Sequence, residues 1–251
     1  MIAAWRAFSD ELARWRHAGR AVEFWWRDDD AVAPTAPVKQ LLELSARSAV
    51  PLALAVIPLA AKAELFDGML ARVLLHGTDH RNRAQAGHKK TEFAEHEPDD
   101  AALGRLGRAR ERLAQLAGPA FVPVLAPPWN RFKRELVPVL ASIGVRGFSG
   151  YGARAARRPA AGVIEVNTHI DIIEWRATRA FCGEDAALAA AIRHLAARRT
   201  GAVDSAEPTG WLTHHELHDS AAWNFLEQLF ERTRRLGARW LDAQAIFTAS
   251  A

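Results

Sequence analysis

Ala21-Val22-Glu23-Phe24-Trp25-Trp26-Arg27-Asp28-Asp29-Asp30 is an apolar run of strand length that stops in three consecutive carboxylates. Adjacent carboxylates repel one another, so the cluster calls for a cation or an arginine nearby, and Arg27 is one candidate. Further apolar runs of strand length occur at 51–57, 71–75, 121–126, 145–149, 162–168 and 210–214. Between and around them lie amphipathic segments of helix length at 3–17, 36–47, 99–117, 132–143, 184–198 and 220–236. In the first of these, Trp5, Phe8, Leu12 and Trp15 recur at helical spacing. Such alternation predicts repeated βα units around a parallel sheet. About seven strands in one series predict an α/β barrel, read as a single domain over 1–251 with an N-terminal helix within 1–20.

Glycines punctuate the pattern. Gly118-Pro119 stops the helix that Asp99 or Asp100 is placed to cap, and Gly144 and Gly237 each follow an apolar helical stretch. The polar loops at 81–98, 150–161 and 199–209 read as lids or as plain connections. Gly150-Tyr151-Gly152 lacks the strand-to-helix context and third glycine of a dinucleotide fingerprint.

Composition narrows the class. With 251 residues and 49% hydrophobic content the chain is long and apolar enough for a full core. Cys182 is the only cysteine, which excludes an intrachain disulfide and a cysteine-rich zinc site, so any metal must be held by histidine and carboxylate. The first residues lack the apolar core of a secretory signal, and no uncharged run reaches bilayer-spanning length. A cytoplasmic protein with no membrane partner is therefore expected. The net charge of +4 comes mainly from scattered arginines, without a nucleic-acid-binding signature, so no nucleic-acid partner is expected and the charge reads as a solvated surface or as a match for an anionic small-molecule substrate.

Chemistry-bearing residues gather at the strand ends, where an α/β barrel displays its catalytic groups. Asp28, Asp29 and Asp30 follow the first run, and His76-Gly77-Thr78-Asp79-His80 follows the third. Each has an ordinary alternative, a helix cap for the aspartates and surface or core histidines for the pair. Together they make a carboxylate–imidazole ligand set for a divalent Lewis acid. Ala126-Pro127-Pro128-Trp129-Asn130-Arg131 brings a rigid double proline, useful where an amide must point at a reacting oxygen. Asp171 and Glu174 follow the 162–168 run, and His214, His215 and His218 follow the last. The basic stretch Arg154-Ala155-Ala156-Arg157-Arg158 is either a grip for a phosphorylated sugar or a solvated loop.

In this order the motifs resemble those of the polysaccharide deacetylases with the NodB homology domain, carbohydrate esterase family 4. Arg27-Asp28-Asp29-Asp30 is similar to the family's Thr-Phe-Asp-Asp, His76 to His80 to its His-Ser-x-x-His, and Ala126-Pro127-Pro128-Trp129 to its Arg-x-x-Pro-aromatic. Asp171-Ile172-Ile173-Glu174-Trp175 is similar to Asp-x-x-Asp-Trp, and Leu212-Thr213-His214 to Leu-x-x-His. The resemblance runs from residue 21 to about 246 and implies a distorted (β/α)7 barrel.

It further implies a divalent metal, zinc first, with cobalt, nickel or manganese as alternatives, bound by Asp30, His76 and His80. Asp29 would be the base, Asp28 filling a place where relatives carry an apolar residue, with Asp28 and Asp29 as the alternative register. The backbone N–H of Trp129 would face the oxyanion. His214, oriented by Asp171, would be the acid, with His215 in reserve. The family's third-motif arginine is Ala126 here, and Arg131 or Arg27 is expected to replace it on the base. The implied reaction is metal-dependent removal of an acetyl group from an N-acetylated sugar or oligosaccharide. Hydrolysis of a non-sugar amide or imide, and a catalytically inert ligand-binding barrel, stand as alternatives.

Overall fold

The computed structural model describes residues 2–248. Helix α1 (Ile2–His17) leads into β1 (Glu23–Ala31), α2 (Ala36–Ser48), β2 (Leu52–Val56) and β3 (Arg72–Leu75). There follow α3 (Asp99–Ala117), β4 (Phe121–Leu125), β5 (Gly147–Phe148), β6 (Ile164–Glu165) and β7 (Ile170–Asp171). A small antiparallel pair, β8 (Ile173–Glu174) and β9 (Ala180–Phe181), precedes α4 (Glu184–Thr200), β10 (Thr209–Thr213), α5 (Ser220–Arg235), β11 (Arg239–Trp240) and α6 (Ala243–Thr248).

The main sheet runs β6-β5-β4-β3-β2-β1-β10-β7, all parallel, with β11 added beside the start of β1. Its two edges are joined by one extended segment. Residues of β6 pair with β5, Thr168 bridges Tyr151, and then the His169 amide donates to the Gly210 carbonyl at 2.7 Å and β7 pairs with β10. The sheet therefore curls back on itself as the expected distorted barrel. At the crossing the backbones approach so closely that a Cβ on Gly210 would lie 2.4 Å from the Trp25 indole nitrogen and 2.6 Å from the Asn167 carbonyl.

Strand alternation divides the apolar side chains between two layers. Trp25, Ala53, Ala55, Leu74 and Val124 fill the barrel interior with Ile246 and Phe247 of α6, while Phe24, Trp26, Leu54 and Leu75 face the surrounding helices. Helix α1 seals its apolar stripe against α4, where the Trp5 indole donates to Glu184 Oε2 at 3.1 Å and the Trp15 indole to the Leu195 carbonyl at 3.2 Å. Among the described residues no helix is long and apolar enough to cross a membrane.

Two local expectations need correction. The stretch 132–143 forms a 3₁₀ helix at Arg134–Ile143, because Pro138 lacks the N–H that an α-helix would use there. Pro98 occupies the cap position of α3, and Asp99 and Asp100 fall in its first turn, where they oppose the helix dipole without a side-chain cap.

Candidate active site

Period-two alternation would send Asp29 and Asp30 to opposite faces of β1. The structure avoids this with a register shift between Asp28 and Ala31 and a left-handed Asp30 at φ 76°. Such a conformation is uncommon for a non-glycine residue, and aspartate tolerates it better than most. The Asp30 carboxylate thereby meets the third strand end. Its Oδ1 lies 3.0 Å from His76 Nε2 and 3.2 Å from His80 Nε2, and the two rings stack with centroids 5.3 Å apart.

His76 is fully buried, and its Nδ1 lies 2.9 Å from the Ala126 carbonyl. A carbonyl only accepts, so Nδ1 carries the proton and a neutral ring turns its Nε2 lone pair toward Asp30. Asp30 Oδ1, itself buried, has no partner among the described residues beyond these two imidazole nitrogens. A carboxylate oxygen facing two imidazole nitrogens, with no described lysine or arginine on it, is a place for a positive charge. Donors about 2.1 Å from a tetrahedral zinc stand about 3.4 Å apart, close to the observed separations. The electrostatics agree in sign. Burial works to raise the Asp30 pKa, yet His76 and His80 outweigh it and hold the carboxyl far below the usual range. Burial likewise opposes a charge on His76, but Asp29 and Asp30 raise its pKa. These three side chains fit a divalent cation.

Asp29 sits beside them, buried, in a fork with Arg27: Nε to Oδ1 at 2.8 Å and Nη2 to Oδ2 at 3.0 Å. Arg27 is itself fully buried, and it donates from Nη1 to the Ser149 carbonyl and hydroxyl at 2.8 and 2.7 Å and from Nη2 to Asn130 Oδ1 at 2.7 Å. Residues i and i+2 of a strand share a face, so β1 carries both members of this pair. Arg131, the other candidate for this place, instead donates to the Lys90 carbonyl at an exposed position.

Asp28 does not simply fill an apolar position. It points to the outer layer, as its place in the alternation requires, but there His215 Nδ1 lies 2.5 Å from Oδ1 and the Thr213 hydroxyl donates to Oδ2 at 2.6 Å. Burial opposes both charges. The pairing overcomes it, lowering the Asp28 pKa and raising that of His215. His215 is thus committed to Asp28. His214 faces the mouth instead, its ring edge-on to Trp175 at 4.6 Å.

The Asp171 carboxylate accepts from the Ile173 amide at 2.9 Å and the Trp175 indole at 2.7 Å. Burial raises its pKa while His214 works against that shift, so the two interact through space. The Asp171 oxygens are taken by Ile173 and Trp175, and His214 Nδ1 is buried without a hydrogen-bond partner among the described residues. Trp129 and Asn130 both adopt left-handed backbone conformations, φ 56° and 53°, after the double proline, and the Trp129 ring packs on His80 at 4.3 Å.

Trp25, Trp26 and Trp211 belong to the core, whereas Trp175 is 40% exposed at the mouth. Arg154 is buried and tied to Asp204 and the Glu165 carbonyl, a structural use rather than a grip on phosphate. His218 packs on Trp223, and burial pushes its pKa down to about 4.

No protein-family model and no curated protein matches the sequence. Solved structures do match in fold. The Bc1960 peptidoglycan N-acetylglucosamine deacetylase superimposes with a TM-score of 0.58 at 13% identity, over 91% of this chain and 89% of that one. A family 4 carbohydrate esterase from Streptomyces lividans gives 0.55 at 13% identity, over 87% and 90%. A pseudoenzyme of the same family from Bacillus anthracis gives 0.59 at 14% identity, over 90% and 66%. The fold is that of the family 4 carbohydrate esterases.

Proposed function

We propose that the protein is a metal-dependent hydrolase of the family 4 carbohydrate esterase type, removing the acetyl group of an N-acetylated sugar or oligosaccharide by cleavage of its amide C–N bond. The observation that carries this reading is the convergence of His76 and His80 on the buried Asp30 Oδ1, beside the carboxylate that Arg27 grips. A divalent ion held by these three residues, zinc by the chemistry of two imidazoles and a carboxylate, would supply Lewis-acid polarisation and a more acidic water.

Asp29, oriented from behind by Arg27, is the base that accepts the water proton. The Trp129 N–H, in a turn stiffened by Pro127 and Pro128, donates to the developing oxyanion. His214 delivers a proton to the departing amine, and Asp171, with which it interacts through space, is its positioning partner. Trp175 and Trp129 offer aromatic faces to the apolar faces of a sugar ring. The proposed compartment is the cytoplasm, since the lone Cys182 makes no demand on an oxidising environment.

Acetate release from a panel of N-acetylated sugars, and ring opening of a panel of cyclic amides read by mass spectrometry, each with and without added zinc or cobalt, test the proposal. Zinc-dependent release from the sugars is expected, whereas turnover of the cyclic amides alone would point to a non-sugar amidase. The His214 Nδ1, which lacks a hydrogen-bond partner among the described residues, and the pseudoenzyme among the structural neighbours favour a second reading, an inert ligand-binding barrel. Stoichiometric metal with no turnover of any panel member would support that alternative.

A further inference from the structure

We infer that Glu92, in the loop between β3 and α3, is a positioning residue that sets the conformation of residues 77–80 and so delivers His80 to the ion site. The inference rests on the metal-site reading above. Glu92 is fully buried and has no ion-pair partner among the described residues. Its charge is met by the backbone instead. Oε1 accepts from the Thr78 amide at 2.8 Å, from the Asp79 amide at 3.4 Å and from the Thr78 hydroxyl, and Oε2 accepts from the His80 amide at 3.3 Å. Three successive N–H groups converging on one carboxylate form an anion nest, here occupied by the protein's own side chain.

The loop needs such a fastener. Gly77 and His80 are both left-handed, at φ 63° and 55°. A non-glycine residue in that region is held only where its surroundings over-determine it. Gly77 is also the surface on which Glu92 rests, since a Cβ there would lie 2.2 Å from Glu92 Oε2 and 2.6 Å from Pro128 Cδ. The two imidazoles are therefore supported differently. His76 is the residue just past β3 and is oriented by the Ala126 carbonyl, independently of Glu92. His80 depends on the nest and on the Trp129 ring. Loss of Glu92 should release the second ligand and leave the first in place.

The test uses the full chain and cobalt(II) as the probe, titrated by its d–d absorption, together with amide hydrogen exchange of the metal-free protein. Glu92→Ala is expected to weaken cobalt binding by about 10- to 100-fold and to accelerate exchange at Thr78 to His80, leaving the amides of β1 and β10 protected. Glu92→Gln keeps the shape and one acceptor, so it should fall between the wild type and Glu92→Ala, and it serves if the alanine variant does not fold. In a His80→Ala background, Glu92→Ala should cost less than about twofold further, because its route to the metal is already gone. Unchanged exchange at 78–80 in both Glu92 variants would overturn the inference whether or not metal binds. A full additional loss in the His80→Ala background would overturn it as well. A wild-type protein that binds no cobalt while Glu92→Ala still loosens the loop would instead sink the metal-site reading, and with it the role of delivering a ligand.

Discussion

Replacing Arg27 by methionine would strip a fully buried carboxylate of its guanidinium without opening a large cavity. Asp29 and Arg27 are both buried and linked through two nitrogen–oxygen contacts of 2.8 and 3.0 Å. Removing one partner of such a pair typically costs about 3–5 kcal/mol, chiefly because the other charge is left buried and uncompensated. The Ser149 and Asn130 acceptors are also left empty, which pushes toward the upper end of that range. Asp29→Asn should cost less, because the guanidinium keeps those other acceptors. The double variant R27M/D29N should be destabilised by about 2 kcal/mol less than the sum of the singles, since it leaves no unpaired charge. Urea denaturation of the four proteins at pH 7 measures this cycle. Shielding from solvent should also make the coupling insensitive to salt. A loss below about 1 kcal/mol for R27M, or strict additivity, would refute the claim that Arg27 is the partner of Asp29.

Other consequences are as direct. His214→Ala should lower kcat far more than it raises KM, because a proton donor to the leaving amine acts in the transition state; equal effects on both would contradict that role in steady-state kinetics. His218 has its pKa lowered to about 4 by burial, against about 6.5 when unfolded. The unfolded chain therefore binds the extra proton between these values, and stability must fall as pH drops through that window, by up to about 3 kcal/mol from this group. His218→Leu should flatten the acid limb of stability against pH between 4 and 6.5, and an unchanged slope would remove His218 as its source. Gly77→Ala should be much more damaging than Gly87→Ala: both glycines have positive φ, but a Cβ on Gly87 meets nothing within 4 Å whereas one on Gly77 overlaps Glu92 and Pro128. Similar melting temperatures for the two variants would show that the Gly77 packing is slack.

The barrel staves were legible because each is a strand-length apolar run. All seven expected runs correspond to strands, from β1 to β6 and β10. The short β7 escaped notice because no turn residue marks the point after Thr168 where the extended chain leaves β5 for β10. Amphipathic periodicity at 132–143 gave the right buried face, but it could not separate an α-helix from the 3₁₀ helix that Pro138 imposes.

At the candidate site, strand-end position and spacing brought out the aspartate triplet and the histidine pair, the family resemblance singled out Asp30 within the triplet, and strand alternation puts Arg27 on the face of Asp29. The Asp28–His215 pair was not readable, because it joins residues 187 apart that meet only when β10 docks beside β1. Glu92 was hidden for a related reason. A single glutamate in a polar loop carries no periodic signal, and its function lies in backbone amides twelve to fourteen residues earlier.

The central claim, a shared ion at the ends of β1 and β3, is tested most directly by anomalous X-ray diffraction from crystals of the full chain grown with zinc, recorded on both sides of the zinc absorption edge. The account predicts one strong peak within bonding distance, about 2.0–2.2 Å, of Asp30 Oδ1, His76 Nε2 and His80 Nε2, and its loss in Asp30→Asn. Well-ordered wild-type side chains with no peak among them at saturating zinc would contradict it.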